Sequence, residues 1–423
     1  MPSELLDDCF EHNRDSLRHD EALELLKERI RPAVGVEPVA LDQAHGRILA
    51  QQVRAPRPVP AFDNSAMDGF AFAHADYVRL GGRMPVSARI AAGHASAGPL
   101  EPGTAARIFT GAVMPQGADT VAMQEDVRLE EDGGGRTAII PAGLKAGANR
   151  RRAGEDLAEG TLLLEPGVRL RPQELAAIAS TGAAKVDCYR QLKIAILSTG
   201  DEILRPGAPY QPGRVYDSNF YMLRALLEAT GVSTTDLGVI ADRPQAVRTA
   251  LEEAAAGHDA IITSGGASRG EEDHVVTAVE KLGHLHMWQL AIKPGRPVSF
   301  GQVGKSLFFG LPGNPVAAMV CYLLYVRPVL IRRGGGDWPV PHRFPLPADF
   351  DMDKKAGRRE FVRGMVRPGK DGRASAAKYP RDGSGLISSL RAADGLIEIA
   401  EEVERIRPGD PVSFIPFSEL GIG

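Results

Sequence analysis

The order of apolar and polar positions divides the chain into stretches of different texture. Near the start, Leu23, Leu26 and Ile30 recur at helical spacing and Pro32 follows as a stop, which predicts a helix. The connection Ala55-Pro56-Arg57-Pro58-Val59-Pro60 then leads into short β-type runs at 85–90, 106–110, 120–123 and 137–140, separated by glycine-bearing turns. From about residue 190 strands alternate with helices. Strands are expected at 193–197, 236–240, 259–263, 288–292, 297–303 and 306–309. Helices are expected at 218–230, 244–256, 272–282 and from 314 to about 330. Such alternation implies a mostly parallel sheet covered on both faces. After Gly334-Gly335-Gly336 short strands return at 360–365, 395–399 and 411–414. The reading is multidomain α/β plus β, with a small β-rich domain on each side of a central α/β domain.

Composition narrows the function classes. At 423 residues the chain is expected to hold roughly three domains. Fifty basic against 54 acidic residues leave a formal charge of −4, without the basic excess of a general nucleic-acid binder. Cys9, Cys188 and Cys321 form no CxxC pair, which excludes a disulfide scaffold or cysteine zinc module and fits a reducing cytoplasm. The opening MPSELLDDCFEHNRD is acidic and lacks the apolar core of a signal peptide. The longest apolar run, 316–326, is shorter than the ~20 residues of a bilayer span. A soluble, cytoplasmic protein with no nucleic-acid or membrane partner is expected.

In sheets of this kind ligands bind beyond the carboxyl ends of the strands, so chemistry is sought in those loops. Ser198-Thr199-Gly200-Asp201-Glu202 places two carboxylates after a tight turn, where a metal or a hydroxyl-rich ligand fits and where a simple capped turn also fits. Ala241-Asp242-Arg243 is the next strand-end loop. Ser264-Gly265-Gly266-Ala267-Ser268-Arg269-Gly270 stands between a strand and a helix and leaves backbone N–H groups that suit phosphate. Glu271-Glu272-Asp273 behind it would repel that anion unless a metal bridged them. The same loop contains Gly266-x-Ser268-x-Gly270, the pattern of a hydrolase elbow, whose partners would have to be Asp337 and His342 in a Gly/Pro-rich linker. Ala291-Ile292-Lys293-Pro294-Gly295-Arg296-Pro297 offers two cations to an anionic ligand, or to solvent. In Leu311-Pro312-Gly313-Asn314-Pro315, Asn314 suits a helix N-cap and Pro315 the first helical position.

Two further signals fail. Gly304-Lys305-Ser306 imitates the end of a P-loop, but Ser299 stands where its first glycine belongs. His284-x-His286 has no third metal ligand near it in sequence. In the first β domain, Phe62-Asp63-Asn64-Ser65-Ala66-Met67-Asp68-Gly69 reads as a polar loop. Phe109-Thr110-Gly111-Ala112 and Gly154-Glu155-Asp156 add a hydroxyl and two carboxylates.

Taken in order, FDNSAMDG, FTGA, RRAGED, STGDE, SGGASRGEED, AIKPGRP and GLPGNP resemble the motifs of the molybdopterin molybdenumtransferases, the MoeA proteins and the gephyrin E domain. The resemblance runs from about residue 20 to the carboxyl terminus. It implies an elongated homodimer of four-domain subunits. The domains would be a helical or extended connecting domain (1–57 with 155–188), a small β domain (58–154), the α/β molybdopterin-binding domain (189–332) and a C-terminal β-barrel-like domain (333–423). The implied activity is insertion of molybdate into adenylylated molybdopterin, with Mg²⁺-assisted release of AMP. A transient contact with the molybdopterin adenylyltransferase that supplies the substrate is implied too.

Carried over by motif position, the catalytic residues fall on Asp68, Thr110, Asp156, Glu202, Asp242, Asp273 and Lys293, with Glu202 and Asp273 as metal ligands. Substrate binding falls on Ser264, Gly265, Gly266, Ser268, Arg269, Arg296, Pro312, Gly313, Asn314 and Pro315, and by looser alignment on Arg363 and Ser384. The resemblance also places the FDNSAMDG domain of one subunit over the α/β domain of the other. Three residues depart from the pattern: Ala267 and Arg269 replace valines, and Gln289 stands where many relatives have lysine. Arg269 is expected to supply the charge missing at Gln289. The alternative is a non-catalytic molybdopterin-binding or scaffolding paralogue, which would not need the carboxylates of both the GED and GDE loops.

Overall fold

The computed structural model describes residues 17–94, 98–133, 135–265, 274–369 and 372–422. The first helix, α1 (His19–Arg29), carries Asp20 and Glu21 in its first turn and Lys27 and Arg29 in its last, the charge order a helix dipole favours. Strand β1 (Val36–Ala40) follows, and the chain then leaves for an inserted β domain. That domain comprises β2 (Gly69–Phe72), α2 (His74–Arg79), β3 (Arg83–Ile90), β4 (Ala105–Ile108), β5 (Thr120–Met123), β6 (Arg128–Asp132) and β7 (Gly135–Ile139). Its sheet runs β5-β2-β4-β3-β7-β6, and only β3 and β4 are parallel. Alternation of side chains gives it two apolar faces, one around Phe70, Phe72 and Met84, the other around Ala71, Ile90, Ile108 and Val121. The chain returns through α3 (Pro172–Ser180) and β8 (Lys185–Tyr189). Strand β8 pairs antiparallel with β1, Val186 opposite Val39, so the segments flanking the insertion form one body around Leu49, Leu170 and Ile178.

The α/β unit opens with β9 (Lys193–Thr199) and a small flap made by β10 (Ile203–Leu204) and β11 (Val215–Tyr216). Then come α4 (Ser218–Thr230), β12 (Ser233–Ile240), α5 (Pro244–Gly257), β13 (Ala260–Ser264), α6 (His274–Leu282), β14 (Gly283–Gln289), β15 (Ile292–Lys293), β16 (Pro297–Val303) and β17 (Ser306–Leu311). The sheet order is β12-β9-β13-β17-β16-β14. The first four strands are parallel, β16 runs antiparallel to β17, and β14 runs antiparallel to β16 and so returns to the direction of the first four. The carboxyl ends of β9, β12, β13 and β17 share one edge, and the antiparallel register brings Pro297 and Gln289 to the same edge. Helices α5 and α6 cover one face through Val247, Leu251 and Val279, while α4 covers the other through Leu223 and Leu227, in one core with Leu26 of α1 and Ile30 behind it.

One expected strand is corrected. The apolar run 288–292 is not a single strand: β14 pairs along all of β16 and ends at Gln289, and β15 leaves for another sheet. A continuous apolar run cannot show that its two halves face different partners. The last helix is also longer than its apolar run. Segments α7 (Pro315–Cys321) and α8 (Arg327–Arg333) flank a π-helical turn, Tyr322–Val326. Together they span 19 residues, enough by length and composition to cross a bilayer, yet 78% of that stretch is buried inside the fold.

The C-terminal unit contains β18 (Phe344–Pro347), β19 (Arg359–Pro368), β20 (Ala374–Lys378), α9 (Ile387–Ala392), β21 (Gly395–Ile399) and β22 (Pro411–Pro416). Its sheet order is β15-β19-β21-β22-β18, with β20 also on β19, so its edge strand is supplied by the α/β unit. Phe361, Leu396 and Ile415 join the apolar core of that unit. At the same seam Arg359 binds Asp20 of α1 at 2.7 Å, Glu398 at 3.0 Å and Glu401 at 3.1 Å. A mostly buried guanidinium shared by three carboxylates resists sliding between the units.

Candidate functional site

The strand-end loops of the α/β unit converge on the first turn of α4. Asp217 caps that helix by accepting from the Phe220 backbone N–H at 3.0 Å, and its other oxygen accepts from Ser198 Oγ at 2.6 Å. Two residues on, the Asn219 side-chain Nδ2 donates to Ser264 Oγ and to the Gly313 carbonyl, both at 2.7 Å. One side chain thereby ties the ends of β13 and β17 to α4. Because a carbonyl only accepts, Gly313 fixes which end of the amide faces it and leaves the buried Asn219 Oδ1 without a partner among the described residues. Sequence reading missed Asn219; its one signal was an Asn two residues behind a helix cap.

Glu202 lies beyond β9, where Gly200 adopts φ 138° and a side chain in its place would press on the Glu202 carboxylate. Glu202 is exposed, and its carboxylate has no partner among the described residues. Its backbone is held by the flap, with Val215 N–H on the Glu202 carbonyl at 2.8 Å. The flap in turn is pinned by Arg205, which binds Asp236 at 2.6 Å and Asp217 at 3.6 Å and lies over the Phe220 ring at 3.8 Å. Asp242, at the end of β12, donates its backbone N–H to Asp201 Oδ1 at 3.4 Å. Gly266, Ser268, Arg269 and Asp273 lie outside the described residues.

A cavity of about 410 Å³ opens at the seam with the C-terminal unit. Lys293, Pro312, Asn314, Arg363 and Ser384 all line it, so five residues from four sequence segments meet there. Parallel pairing of β15 with β19 sets Lys293 opposite Glu360, and its Nζ lies 3.2 Å from the buried Glu360 carboxylate. Arg363 is buried; it donates to Ser389 Oγ at 3.1 Å and to the Gly383 carbonyl at 3.2 Å, while burial lowers its affinity for its proton. Asp382 sits below the usual carboxylate range, chiefly through its bond to Lys378. Sequence reading did not single out Glu360 or Asp382.

Asn314 takes the N-cap position of α7, yet its side chain makes no cap bond and lines the cavity instead. The Val316 N–H of the first turn is satisfied by the Ser384 carbonyl at 2.9 Å. Gly295, at φ 99°, lets the loop pass over Cys321, where any Cβ would collide with the sulfur. Arg296 is exposed and stands outside the cavity walls.

A second cluster forms at one end of the inserted β domain. Asp68 Oδ1 accepts from both the backbone N–H and the hydroxyl of Thr110 at 2.8 Å, and these two bonds hold its carboxyl below the usual range. Asp63 binds Arg150 and accepts from the Ala153 N–H at 2.8 Å, and that backbone bond is the largest cause of its lowered pKa. The FDNSAMDG, FTGA and RRAGED loops are thus brought together. Asp156 is exposed beside them, with its backbone N–H on the Val59 carbonyl at 3.1 Å. Among the described residues no hydrogen bond or ion pair links Asp68, Thr110 or Asp156 to the α/β loops. A serine hydrolase would need Asp337 on His342, and His342 instead pairs with Glu419 at 2.9 Å.

Comparison with known proteins follows this division. Residues 17–182 match the family model of the MoeA N-terminal region (domain I and II). Residues 195–332 match a probable molybdopterin binding domain, and 345–417 the MoeA C-terminal region (domain IV). A molybdopterin molybdenumtransferase of Haemophilus influenzae is 37% identical over 95% of this chain and 98% of its own. One of Nostoc is 39% identical over 71% of this chain and 70% of its own. The crystal structure of a molybdopterin biosynthesis MoeA protein from Pyrococcus horikoshii superposes with a TM-score of 0.78 at 30% identity, covering 95% of this chain and 99% of that one.

Proposed function

The chain belongs to the molybdopterin molybdenumtransferase family, an enzyme family of molybdenum cofactor biosynthesis, and on that premise we propose the reaction and the place of its parts. Molybdate is inserted into adenylylated molybdopterin and AMP leaves. The observation that carries this reading is the seam cavity. It joins Lys293 and Arg363, two cations, to the Ser384 loop, and a molybdate dianion needs such donors. Glu360 already balances part of the Lys293 charge, so the cavity favours a small anion over a large polyanion.

The substrate pyrophosphate is assigned to the glycine-rich loop beginning at Ser264 and Gly265, which Asn219 anchors. The uncommitted Glu202 carboxylate fits a hard divalent cation, and Glu202 with Asp273 would hold Mg²⁺. When bound, that ion would neutralise phosphate oxygens as AMP departs. Asp242 and Asp201 flank the position and keep the edge acidic.

The site is completed across a homodimer, the inserted domain of one subunit facing the α/β edge of the other. Exposed Phe62 and Met67 beside Asp63 and Asp68 support this reading, since large apolar side chains on a polar loop gain by meeting a partner. Buried free thiols at Cys188 and Cys321 fit a cytoplasmic setting, where the adenylyltransferase would hand over the substrate.

The test is a turnover assay with adenylylated molybdopterin, molybdate and Mg²⁺, following AMP. Lys293→Gln is expected to raise the molybdate requirement about tenfold, the worth of one charge-assisted contact. Mixed dimers of Asp68→Ala and Asp273→Ala subunits should recover roughly a quarter to a half of wild-type activity, because some of them keep one intact site. Absence of AMP release by the wild type would overturn the reaction, and no recovery despite subunit exchange would overturn the shared site.

A further inference from the structure

On one face of the inserted domain three adjacent strands bring Phe70, Arg107 and Arg89 into one row. Register places Phe70 of β2 opposite Arg107 of β4, and Arg107 beside Arg89 of β3. Both guanidiniums lie against the Phe109 ring, at 4.9 Å and 4.7 Å from its centre, and Arg107 also lies 5.1 Å from the centre of Phe70. Like charges side by side on a sheet repel, so this arrangement is unfavourable unless something compensates.

Compensation within the protein is partial: the Asp68 carboxyl, whose pKa Arg107 helps to lower, feels its charge without bonding to it. Arg107 donates to the Gly69 carbonyl at 3.1 Å and to the Gln124 side chain, both neutral acceptors. Arg89 has no hydrogen bond or ion pair among the described residues. The row forms one wall of a cavity of about 440 Å³, whose other walls are Val86, Ser87, Ala88, Leu129 and Arg136. Arg136 is the third cation, paired among the described residues with exposed Glu131 at 3.3 Å. Among the described residues no carboxylate lines the cavity, and its size is that of a small-molecule site.

The row also adjoins the Asp68–Thr110 pair. Asp68 precedes Phe70 by two residues and Thr110 follows Phe109, so an anion over Arg107 would sit about 7 Å along the strand from Asp68, on its face of the sheet. We propose that Arg89 and Arg107 form an oxyanion-binding groove that takes the phosphate groups of a small organophosphate beside Asp68. Arginine suits this role because its planar fork matches two phosphate oxygens while the aromatic ring supports it from one side. Arg107 has a second duty as a positioning residue, since Gly69 and Gln124 flank Asp68 in the sheet. Assigning the phosphate to the substrate, or to the AMP it releases, rests on the function proposed above.

The experiment is site-resolved. The full-length wild type is treated with phenylglyoxal, alone or with inorganic pyrophosphate or AMP, and arginine modification is mapped by peptide mass spectrometry. Either anion should slow modification of Arg89 and Arg107 about tenfold while sparing Arg128, an exposed arginine outside the groove. Protection by AMP alone assigns the groove to the nucleotide phosphate, and protection by pyrophosphate to the diphosphate bridge, held between this groove and the glycine-rich loop of the facing subunit. Arg89→Gln, which among the described residues gives up a ring contact and no hydrogen bond or ion pair, should lose that protection at Arg107 and still fold, as judged by its melting temperature. Arg89 reacting equally fast with and without both anions overturns the groove, as does unchanged protection of Arg107 in Arg89→Gln. Protection without AMP release in the turnover assay overturns the reaction and leaves the groove; turnover without protection does the reverse.

Discussion

Asn219 is the side chain on which the strand-end loops depend most directly, and Asn219→Ala measures how much. The substitution removes two 2.7 Å bonds, to Ser264 Oγ and to the Gly313 carbonyl, from a residue 7% exposed. A neutral hydrogen bond is worth about 1 kcal/mol, and an acceptor left unpaired away from water costs about 1–3 kcal/mol more. The local penalty is therefore about 2–3 kcal/mol, with the lone Oδ1 returning part of it because its own unmet need disappears too.

Native-state hydrogen exchange reads this locally, which suits a chain of several units better than one global unfolding curve. The reporter is the Gly265 N–H, held by the Leu311 carbonyl at 3.0 Å across the two loops that Asn219 ties. Its exchange should quicken about thirtyfold or more in Asn219→Ala, the factor for about 2 kcal/mol. Asn219→Asp should be at least as damaging near neutral pH, because a carboxylate oxygen would then face the Gly313 carbonyl. It should recover part of its protection in acid, where a protonated carboxyl can donate again. Gly265 exchange within twofold of wild type in Asn219→Ala would refute the reasoning, since the loops would then be held by something else.

Two further outcomes follow from local geometry. Gly295→Ala should lower the melting temperature by several degrees and weaken molybdate binding, because the left-handed backbone and Cys321 both oppose a Cβ there; an unchanged melting temperature counts against it. The His19 pKa is lowered to about 4, first by burial and then by Arg359, so between about 4 and 6.5 the unfolded chain binds the extra proton and stability must rise with pH. Melting of the wild type should therefore worsen as pH falls through that window, by up to about 3 kcal/mol, and His19→Gln should flatten the trend; an identical acid loss in the variant sinks the assignment.

How much was legible beforehand depended on how far each signal reached along the chain. Helix α4 is legible at 218–230 because Gly231, which adopts φ 86°, stops it, and the Asp217 cap that the structure adds at its start is equally local. The run of buried strands and the order of the loops are equally local, as is the chemistry the loops carry. The family motifs therefore named the residues to look for. Which of them meet was another matter. The run 288–292 could not show that Lys293 would leave the α/β sheet, join the edge of a second one and face Glu360, 67 residues on, in a different unit. Nor could a polar loop show that Asp68 would take both donors of Thr110, or that Arg89 and Arg107 would be set side by side. By itself the sequence determined the elements, their order and the acid, base and glycine content of each loop, since these follow from contacts between near neighbours. Only the tertiary structure decided register, which strand joins which sheet and which charges are left uncompensated, because those depend on packing between segments that the chain keeps far apart.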